Sequence, residues 1–393
     1  MKIFAAAIGS LGDVNPIISL GNALQQRGHE VFVLTTADAE SKVRGSGLRA
    51  HAVLGQQEWD AWRALPREAE PHLENMKAWI HMALPAVAET LRFVWQEFVP
   101  DSSIGLAPAM SGAGFPFLRE KLRMPLIEIQ YAPRIHLDGG EFDQMFGELL
   151  NRIRQRFKLP PMQQGWLRWL LTPDRALGLY PDWFLEATDV ERPDNVTPVH
   201  YLFEPMDDAR NLPAELTEFL DRGPPPLIVT FGTYATADAK LYSNAIEACA
   251  AVGRRLIVLT KYPEQLPSPL PPGCVAAPYV SLMRLFPRAA AVIHHGGAGT
   301  IAQAFRAGVP QIICPIAFDQ FVNADRVVAL GCGTRIDRSE FQVDRIGRVV
   351  ADTVANPRMQ CAAKAIAGRI DGNAASRVCD LIERSARELG VMR

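Results

Sequence analysis

The sequence predicts an α/β protein with two domains, each built on its own parallel β-sheet. Continuous apolar runs of strand length alternate with helix-length segments in both halves of the chain, a pattern typical of parallel strands that are buried on both faces. The alternation stops at 204–226, where a triple proline cannot lie inside regular structure, and it restarts at Leu227. A length of 393 residues also exceeds that of one average domain. We therefore predict a first domain over 1–205, a linker over 206–226 and a second domain over 227–375.

Composition and charge exclude several classes of protein. The 41 Lys and Arg residues nearly balance the 43 Asp and Glu residues, so no basic surplus indicates binding to nucleic acid. The six cysteines lie far apart and form no Cys-x-x-Cys pair, which argues against a zinc ribbon and against a disulfide framework. No apolar run approaches the roughly 18–20 residues of a membrane span, although peripheral contact with a membrane stays open. We expect a cytoplasmic protein with free thiols.

The chain opens with a strand, a loop and a helix. The apolar run at 2–8 predicts a strand rather than a signal peptide, because it leads directly into a glycine turn and a helix start. Residues 9–14 form a predicted tight loop, after which Asn15 suits an N-cap and Pro16 the first position of a helix that runs to about Arg27. This unit puts the loop at the carboxyl end of the first strand, where open α/β sheets bind their ligands.

The remaining elements alternate in the same way. Residues 56–98 have a mostly helical pattern, and further strands of the first domain are predicted at 30–35, 103–106 and 125–130. For the second domain, the pattern predicts strands at 227–231, 255–260, 274–277, 290–294 and 310–315, and helices at 238–252, 281–287 and 300–307 and after residues 319, 342 and 357.

All seven tryptophans lie at or before Trp183. Ordinary core packing would explain the tryptophans at 59–95 and 166–183, but their confinement to one domain also indicates an apolar pocket there. The candidate pocket residues are Trp59, Trp62, Trp79 and Met82.

The strongest motif covers residues 291–300, with the sequence Ala-Val-Ile-His-His-Gly-Gly-Ala-Gly-Thr. A strand that runs through a glycine-rich turn into a helix presents free N–H groups and the positive end of the helix dipole, which together favour a phosphate. His295 can donate to a phosphate oxygen, and Thr300 offers a hydroxyl in the first turn of the helix.

Three alternatives for this motif stay open. Gly297-x-Gly299-x-x-Ala302, with Asp319 about 20 residues later, fits the dinucleotide fingerprint and would indicate NAD, although Asp319 comes several residues past the second strand. The His-Gly-Gly run also resembles the oxyanion loop of lipases, but the chain has no Gly-x-Ser-x-Gly elbow. The third alternative is a glycine turn that binds no ligand.

Two further places in the chain carry polar residues suited to sugar chemistry. Asp319 and Gln320 follow a buried strand and could grip the hydroxyls of a sugar, although Asp319 could equally be a helix N-cap. Asp13 could accept a proton from a substrate hydroxyl, or it could bind the first N–H groups of a helix. The pair Asp207 and Asp208 has no third ligand in register, so no metal site is predicted.

Together these motifs resemble family 1 glycosyltransferases. The resemblance rests on Gly-Ser-Leu-Gly-Asp-Val-Asn-Pro at 9–16, His-His-Gly-Gly-Ala-Gly-Thr at 294–300 and Phe-Asp-Gln-Phe-Val-Asn-Ala at 318–324. More narrowly, the chain is similar to the branch with rhamnolipid rhamnosyltransferases, sterol glucosyltransferases and the enzymes that glycosylate glycopeptides and macrolides. The match spans nearly the whole chain.

The resemblance implies the GT-B fold, in which two Rossmann-like domains face each other across a cleft. It implies an inverting, metal-independent reaction without a cofactor, in which the nucleotide-sugar is a co-substrate. The donor would be a TDP- or UDP-sugar of rhamnose or glucose type on the second domain, and the acceptor an apolar lipid or small molecule on the first. The last helix, within 376–393, would cross back to the first domain.

The functional residues of the family carry over position by position. Asp13 would be the base, and His295 would contact the α-phosphate of the donor. The other donor-binding residues would be Gly297, Gly299 and Thr300 at the β-phosphate, Asp319 and Gln320 at the sugar hydroxyls, Thr233 near the diphosphate and Val280 at the nucleobase. The acceptor-binding residues Trp59, Trp62, Trp79 and Met82 are not carried over from a family motif but are predicted from the aromatic and Met content of the first domain.

The chain departs from many plant members of the family in two ways. Asp13 stands where those enzymes have a histidine base, and Tyr279 stands where they stack a tryptophan on uracil. The base and sugar of the donor therefore stay open. An NAD-dependent oxidoreductase and a non-catalytic protein that binds nucleotide-sugars remain the alternative functions.

Overall fold

The structure, a computed structural model, describes residues 1–63, 73–109, 112, 114–133, 138–188, 195–203, 212–232, 239–278 and 280–392. For residues 62, 63 and 73–84 it describes the backbone alone. The strands of a first sheet are β1 (Lys2–Ala7), β2 (Glu30–Thr36), β3 (Arg49–Leu54), β4 (Ser103–Ala107), β5 (Leu126–Gln130), β6 (Arg175–Gly178) and β7 (Val196–Pro198). Those of a second sheet are β8 (Leu227–Thr230), β9 (Leu256–Leu259), β10 (Cys274–Ala277), β11 (Ala291–His294), β12 (Gln311–Ile313) and β13 (Gly333–Arg335).

Helices surround both sheets. They are α1 (Leu11–Gln26), α2 (Ala37–Gly45), α3 (Gln56–Arg63), α4 (Leu73–Glu97), α5 (Phe115–Leu122), α6 (Gly139–Arg156), α7 (Trp166–Leu170), α8 (Asp182–Leu185), α9 (Ala214–Asp221), α10 (Ala239–Ala251), α11 (Leu282–Leu285), α12 (Ala298–Ala307), α13 (Gln320–Ala329), α14 (Val343–Ala355), α15 (Pro357–Ala367) and α16 (Ala374–Glu388).

The first sheet has the strand order β3-β2-β1-β4-β5-β6-β7, and every neighbouring pair is parallel. Alternate residues of β1 enter different cores: Ile3 packs on one face of the sheet and Phe4 on the other. Because helices cover both faces, β1 is apolar along its whole length instead of alternating with polar residues.

The second sheet repeats this arrangement in the order β10-β9-β8-β11-β12-β13, again with parallel neighbours. Ile228 and Val229 of β8 belong to cores on opposite faces. In each sheet the order of the strands reverses once, between β1 and β4 in the first and between β8 and β11 in the second. Ligands of doubly wound sheets bind at such reversals. The predicted pair of parallel-sheet domains is confirmed.

The start of α1 differs from the prediction. The helix begins at Leu11 with Ser10 as its N-cap, so Asp13 lies in the first turn of the helix and Asn15 is not the cap. Ser10 and Asp13 form a reciprocal capping box, which satisfies backbone donors at the helix start. The helix therefore begins five residues earlier than predicted, at Leu11 instead of Pro16, and Pro16 lies inside it.

Helix α16 packs against the first sheet although it follows the second sheet in the chain. Val378 and Ile382 belong to the same core as Ile3. Arg27, after α1, donates to Asp380 at 2.6 Å, and His29 contacts Glu383 at 2.9 Å. The chain thus crosses between its two halves a second time.

An aromatic cluster joins the two halves. The ring centroid of Phe305 in α12 lies 5.5 Å from that of Trp183 and 5.9 Å from that of Phe184, both in α8. Tyr201 lies 6.3 Å from Phe305 and completes the cluster. Burial of this apolar contact favours a fixed arrangement of the two domains.

The state of the cysteines and the apolar character of the helices are two further features of the fold. All six cysteines are free thiols, as expected. Among the helices of the described residues, none combines the length and the apolar character that crossing a membrane requires.

Candidate active site

A cavity of about 460 Å³ lies where the strand-order reversals of the two sheets face each other. Residues from both domains line it, so it belongs to neither domain alone. The structure brings seven of the predicted site residues to this cavity: Asp13, His295, Gly297, Gly299, Thr300, Asp319 and Gln320. The helices α1 and α12 come close together here, because a Cβ built on Gly299 would lie 3.4 Å from the Cα of Gly12.

Asp13 is held by the N-terminus of its own helix. The Ser10 backbone N–H donates to Oδ2 of Asp13 at 2.7 Å, and the Ser10 hydroxyl donates to the same atom at 3.0 Å. Burial raises the pKa of Asp13 to about 6, the Ser10 hydrogen bonds oppose this shift, and the charge of Asp319 adds to it. A carboxylate with a pKa near 6 is a better proton acceptor at neutral pH than an ordinary aspartate.

Gly9 makes this position of Asp13 sterically feasible. Its φ of +146° lies in a region that residues with a side chain rarely adopt. A Cβ at Gly9 would lie 2.3 Å from Oδ2 of Asp13. Only glycine therefore lets the carboxylate bond to the Ser10 N–H.

The two adjacent histidines have different roles. His294 is fully buried; its Nδ1 accepts from the Gly296 N–H at 3.1 Å, and its Nε2 contacts Oε1 of Gln311 at 3.0 Å. His294 therefore shapes the turn, and burial lowers its pKa to about 3.

His295, in contrast, lines the cavity. A Cβ at Gly297 would lie 2.6 Å from its Nε2, and one at Gly232 would lie 2.8 Å from its Cε1. The imidazole thus fills a slot between two glycines. Burial lowers its pKa to about 4, with a backbone hydrogen bond at Thr230 opposing the shift. At neutral pH this ring is an uncharged donor and acceptor.

The N-terminus of α12 faces the cavity beside His295. Its N-cap, Gly297, has no side chain, and the first bonds of the helix run from the N–H groups of Thr300 and Ile301 to the Gly297 carbonyl. Within the described residues, the N–H groups of Ala298 and Gly299 have no hydrogen-bond acceptor. Free N–H groups and the positive end of the helix dipole suit a phosphate.

Asp319 and Gln320 line the cavity from the start of α13. Asp319 occupies the N-cap position, but its side chain makes no capping bond and instead accepts from Asn323 Nδ2 at 2.6 Å. Oε1 of Gln320 accepts from the N–H groups of Ile316 at 2.8 Å and Ala317 at 3.0 Å. The amide NH₂ group of Gln320 is therefore the part of this side chain that can donate to a ligand. Burial raises the pKa of the Asp319 carboxyl.

Two other predicted site residues among the described ones, Val280 and Trp59, do not line the cavity. The side chain of Val280 packs in a core with Ile257 and Leu285. Trp59 is only 2% exposed and packs in the core of the first domain, which corrects the prediction that it binds an acceptor. The prediction failed because a large aromatic residue suits a core as well as a pocket. Thr233, Tyr279 and the side chains of Trp62, Trp79 and Met82 lie outside the described residues.

A group of polar residues at the end of β5 was not predicted from the sequence. Glu128, Gln130 and Tyr131 line the cavity, and Glu128 and Gln130 are buried. Polar residues in a strand otherwise made of Leu and Ile were the available signal, because buried polar side chains need a partner. Among the described residues, no three acidic, histidine or cysteine side chains cluster as metal ligands would.

Comparison with known proteins identifies the family. Residues 3–113 match the glycosyltransferase family 28 N-terminal domain, and residues 244–379 match the C-terminal domain of the erythromycin biosynthesis protein CIII-like family. The chain is 30% identical to glycosyltransferase GtfE of Amycolatopsis orientalis, with 97% of both chains covered. It is 27% identical to O-mycaminosyltylonolide 6-deoxyallosyltransferase of Streptomyces fradiae, with 98% of both covered.

A solved structure shows the same fold. The glycosyltransferase VinC in complex with DTDP superposes with a TM-score of 0.72 at 21% identity, over 99% of this chain and all of that one. The agreement covers both domains, and the full-length match to GtfE supplies the family. The chain therefore belongs to the family 1 glycosyltransferases and is a nucleotide-sugar glycosyltransferase with the GT-B fold.

Proposed function

We propose that this enzyme transfers a sugar of rhamnose or glucose type from a TDP- or UDP-linked donor to a hydroxyl of an apolar lipid or small-molecule acceptor. We propose further that the reaction inverts the anomeric centre and needs neither a metal ion nor a cofactor. One observation supports the proposal above the others: a carboxylate with a raised pKa from the first domain and a phosphate-binding turn from the second line the same cavity.

In this mechanism Asp13 is the base. The acceptor O–H bond breaks as its proton moves to the Asp13 carboxylate, and the acceptor oxygen forms a bond to the anomeric carbon. The bond from that carbon to the diphosphate breaks with its electron pair on the departing oxygen. Asp13 is suited to this step because a pKa of about 6 gives its carboxylate a higher proton affinity than an ordinary aspartate has, while leaving it mostly ionised at neutral pH.

The second domain would hold the donor. The N–H groups at the start of α12 and the imidazole of His295 would stabilise the negative charge of the departing diphosphate. One such donor is worth about 3–4 kcal/mol in the transition state. Asp319 and the NH₂ group of Gln320 would bind the sugar hydroxyls, Thr233 would lie near the diphosphate, and the backbone of Val280 would meet the nucleobase.

The names of the similar proteins support a thymidine nucleotide and a natural-product acceptor. The solved structure of VinC holds DTDP, and the relative from Streptomyces fradiae is named for a deoxysugar that it transfers to O-mycaminosyltylonolide. TDP is therefore the first nucleotide to test, ahead of UDP.

A thermal-shift panel with TDP, UDP, GDP and NAD⁺ tests the donor. A ligand at 100 times its Kd adds about 2.7 kcal/mol to stability, which raises the Tm measurably. We expect TDP or UDP to raise the Tm and NAD⁺ to have no effect. Stabilisation by NAD⁺ alone would contradict the donor assignment.

Turnover is then tested with the nucleotide-sugar that the panel selects. Release of nucleoside diphosphate must persist in EDTA, and the anomeric configuration of the product, determined by NMR, must be opposite to that of the donor. Binding of TDP without donor hydrolysis or transfer under any condition would favour a non-catalytic binding protein instead.

A further inference from the structure

The wall of the cavity contributed by the first domain contains two hydrogen-bond donors without partners. Nε2 of Gln130 and the hydroxyl of Tyr131 are both buried, and neither has a hydrogen-bond partner among the described residues. Gln130 is 5% exposed, and both residues line the cavity. Buried polar groups in native proteins are nearly always satisfied, so a ligand group is expected opposite these two.

Gln130 is held in a fixed orientation from behind. The Tyr180 hydroxyl donates to Oε1 of Gln130 at 2.7 Å, and both residues are buried. The Tyr180 ring lies against Gly178, where a Cβ would come within 2.6 Å of its Cζ. With Oε1 bonded to Tyr180, the NH₂ group is the part of Gln130 left for a ligand.

Tyr131 lines the same cavity as Asp13. Burial and the Asp13 carboxylate both raise the pKa of the Tyr131 phenol well above its ordinary value. The phenol therefore keeps its proton at any working pH and can donate it. Two buried donors without partners among the described residues, the NH₂ group of Gln130 and the hydroxyl of Tyr131, favour an oxygen on the ligand that accepts hydrogen bonds.

We propose that Gln130 and Tyr131 determine acceptor specificity, by selecting acceptors that carry a second oxygen, as hydroxyl or carbonyl, next to the hydroxyl attacked through Asp13. This inference rests on the proposed function and adds the acceptor class to it. When an acceptor displaces water from the wall, one that lacks this oxygen leaves both donors unsatisfied. A site built to hydrogen-bond a substrate oxygen rejects the analogue that lacks it.

The test compares two matched acceptors, 2,3-dihydroxynaphthalene and 2-naphthol, which differ by one adjacent hydroxyl. The measured quantity is the ratio of their kcat/KM values with TDP-glucose or UDP-glucose as donor. We expect wild-type enzyme to prefer the diol, and Tyr131→Phe to lower the ratio by about tenfold or more. Gln130→Glu, which keeps an oxygen for Tyr180 and removes the NH₂ donor, should lower it as well.

Tyr201→Phe is the matched control. The Tyr201 hydroxyl is also buried without a partner among the described residues, but Tyr201 does not line the cavity. Tyr201→Phe should keep the wild-type ratio of kcat/KM values for the two acceptors. It therefore shows whether removing any buried phenol hydroxyl changes the ratio, or only removing the one at the cavity. Circular dichroism checks that each variant is folded.

The outcomes separate this inference from the proposed function. If folded Tyr131→Phe keeps the wild-type ratio of kcat/KM values, the inference is overturned. It is also overturned if the wild-type enzyme hydrolyses the donor but does not glycosylate the diol and, in calorimetry with TDP present, does not bind it. A changed Kd for TDP in Tyr131→Phe also overturns it, because the residue would then serve the donor. Absence of both TDP binding and donor hydrolysis in wild type would instead refute the proposed function.

Discussion

At the scale of single residues, the burial of Asp13 has two effects: it raises the pKa of the proposed base to about 6, and it lowers the stability of the folded protein when the carboxylate is charged. The rate of transfer by the wild-type enzyme should decrease as the pH is lowered through about 6, because Asp13 with a pKa of about 6 becomes protonated there.

Asp13→Asn should lose at least about 100-fold in kcat, since a positioned base contributes about 10²–10⁴-fold. Its Kd for TDP, measured by calorimetry, should stay within a few-fold of wild type. Loss of TDP binding in this variant would mean that Asp13 acts structurally.

The same variant predicts a change in stability with pH. The folded-state pKa of about 6 exceeds the ordinary value of 3.8, so the folded protein binds this proton more tightly than the unfolded chain. The charged form therefore destabilises the fold, by an amount that is absent below pH 3.8 and complete above about pH 6. Asp13→Asn should have a higher Tm than wild type at pH 8 and an equal one near pH 4. A lower Tm at pH 8 would contradict the burial of this charge.

His295→Ala should lose at least about 100-fold in kcat, because it removes one preorganised donor to the leaving diphosphate. The measurement is release of TDP or UDP from the donor at saturation. His51→Ala is the control, since His51 contacts Glu89 at 2.6 Å and does not line the cavity. Near-normal turnover of His295→Ala would refute the role given to this imidazole.

Sequence alone indicated Asp13, His295 and Asp319 because each follows a buried strand at the edge of a sheet where ligands bind. It did not indicate Gln130 and Tyr131, since their lack of partners depends on side chains that are distant in sequence. Trp59 shows the opposite error, because no sequence pattern distinguishes a core tryptophan from one that lines a pocket.

At the scale of elements, the start of α1 positions the base. Gly9→Ala should displace the Asp13 carboxylate, because the new Cβ would lie 2.3 Å from its Oδ2. Transfer should fall as strongly as in Asp13→Asn, while the Kd for TDP stays within a few-fold. Gly28→Ala, at the other end of the same helix, is the matched control: its φ is also positive, at +83°, and nothing lies within 4 Å of the new Cβ.

Gly28→Ala should therefore lower the Tm through backbone strain and leave the rate per folded molecule unchanged. Full activity of Gly9→Ala would show that the carboxylate does not need its bond to the Ser10 N–H. Equal losses of activity in both glycine variants would indicate general damage to α1 instead.

Nine of the thirteen strands in the described residues were predicted to within about two residues, because parallel strands covered on both faces are continuous apolar runs. The other four, β3, β6, β7 and β13, were not predicted. The start of α1 was not predicted correctly. Ser10 and Asn15 are both acceptable N-caps, and proline is most common at the first helical position. The capping box between Ser10 and Asp13 decides in favour of the earlier start.

At the scale of the whole molecule, the aromatic cluster at Phe305 predicts that the two domains unfold together. Phe305→Ala should cost about 3–5 kcal/mol and, because Phe305 contacts Trp183 and Phe184 of the other domain, should split the calorimetric transition in two. Phe341→Ala is the matched control, because Phe341 is 1% exposed within the second domain alone.

Phe341→Ala should lower the Tm without splitting the transition. A single transition in Phe305→Ala would show that other contacts, such as those of α16, suffice to couple the domains. The existence of two domains could be predicted from the restart of the strand and helix alternation at Leu227, whereas this coupling could not, because the aromatic residues that create it lie more than a hundred positions apart in the sequence.

The return of α16 to the first sheet has a consequence for synthesis on the ribosome. Translation makes residues 374–388 only after every strand of the second sheet has been made. Until then the part of the sheet face that Val378 and Ile382 cover stays exposed, although α1 already packs on the same face. The second domain can finish folding before α16 covers this part of the first domain, so apolar surface of the nascent first domain is exposed to aggregation for longer.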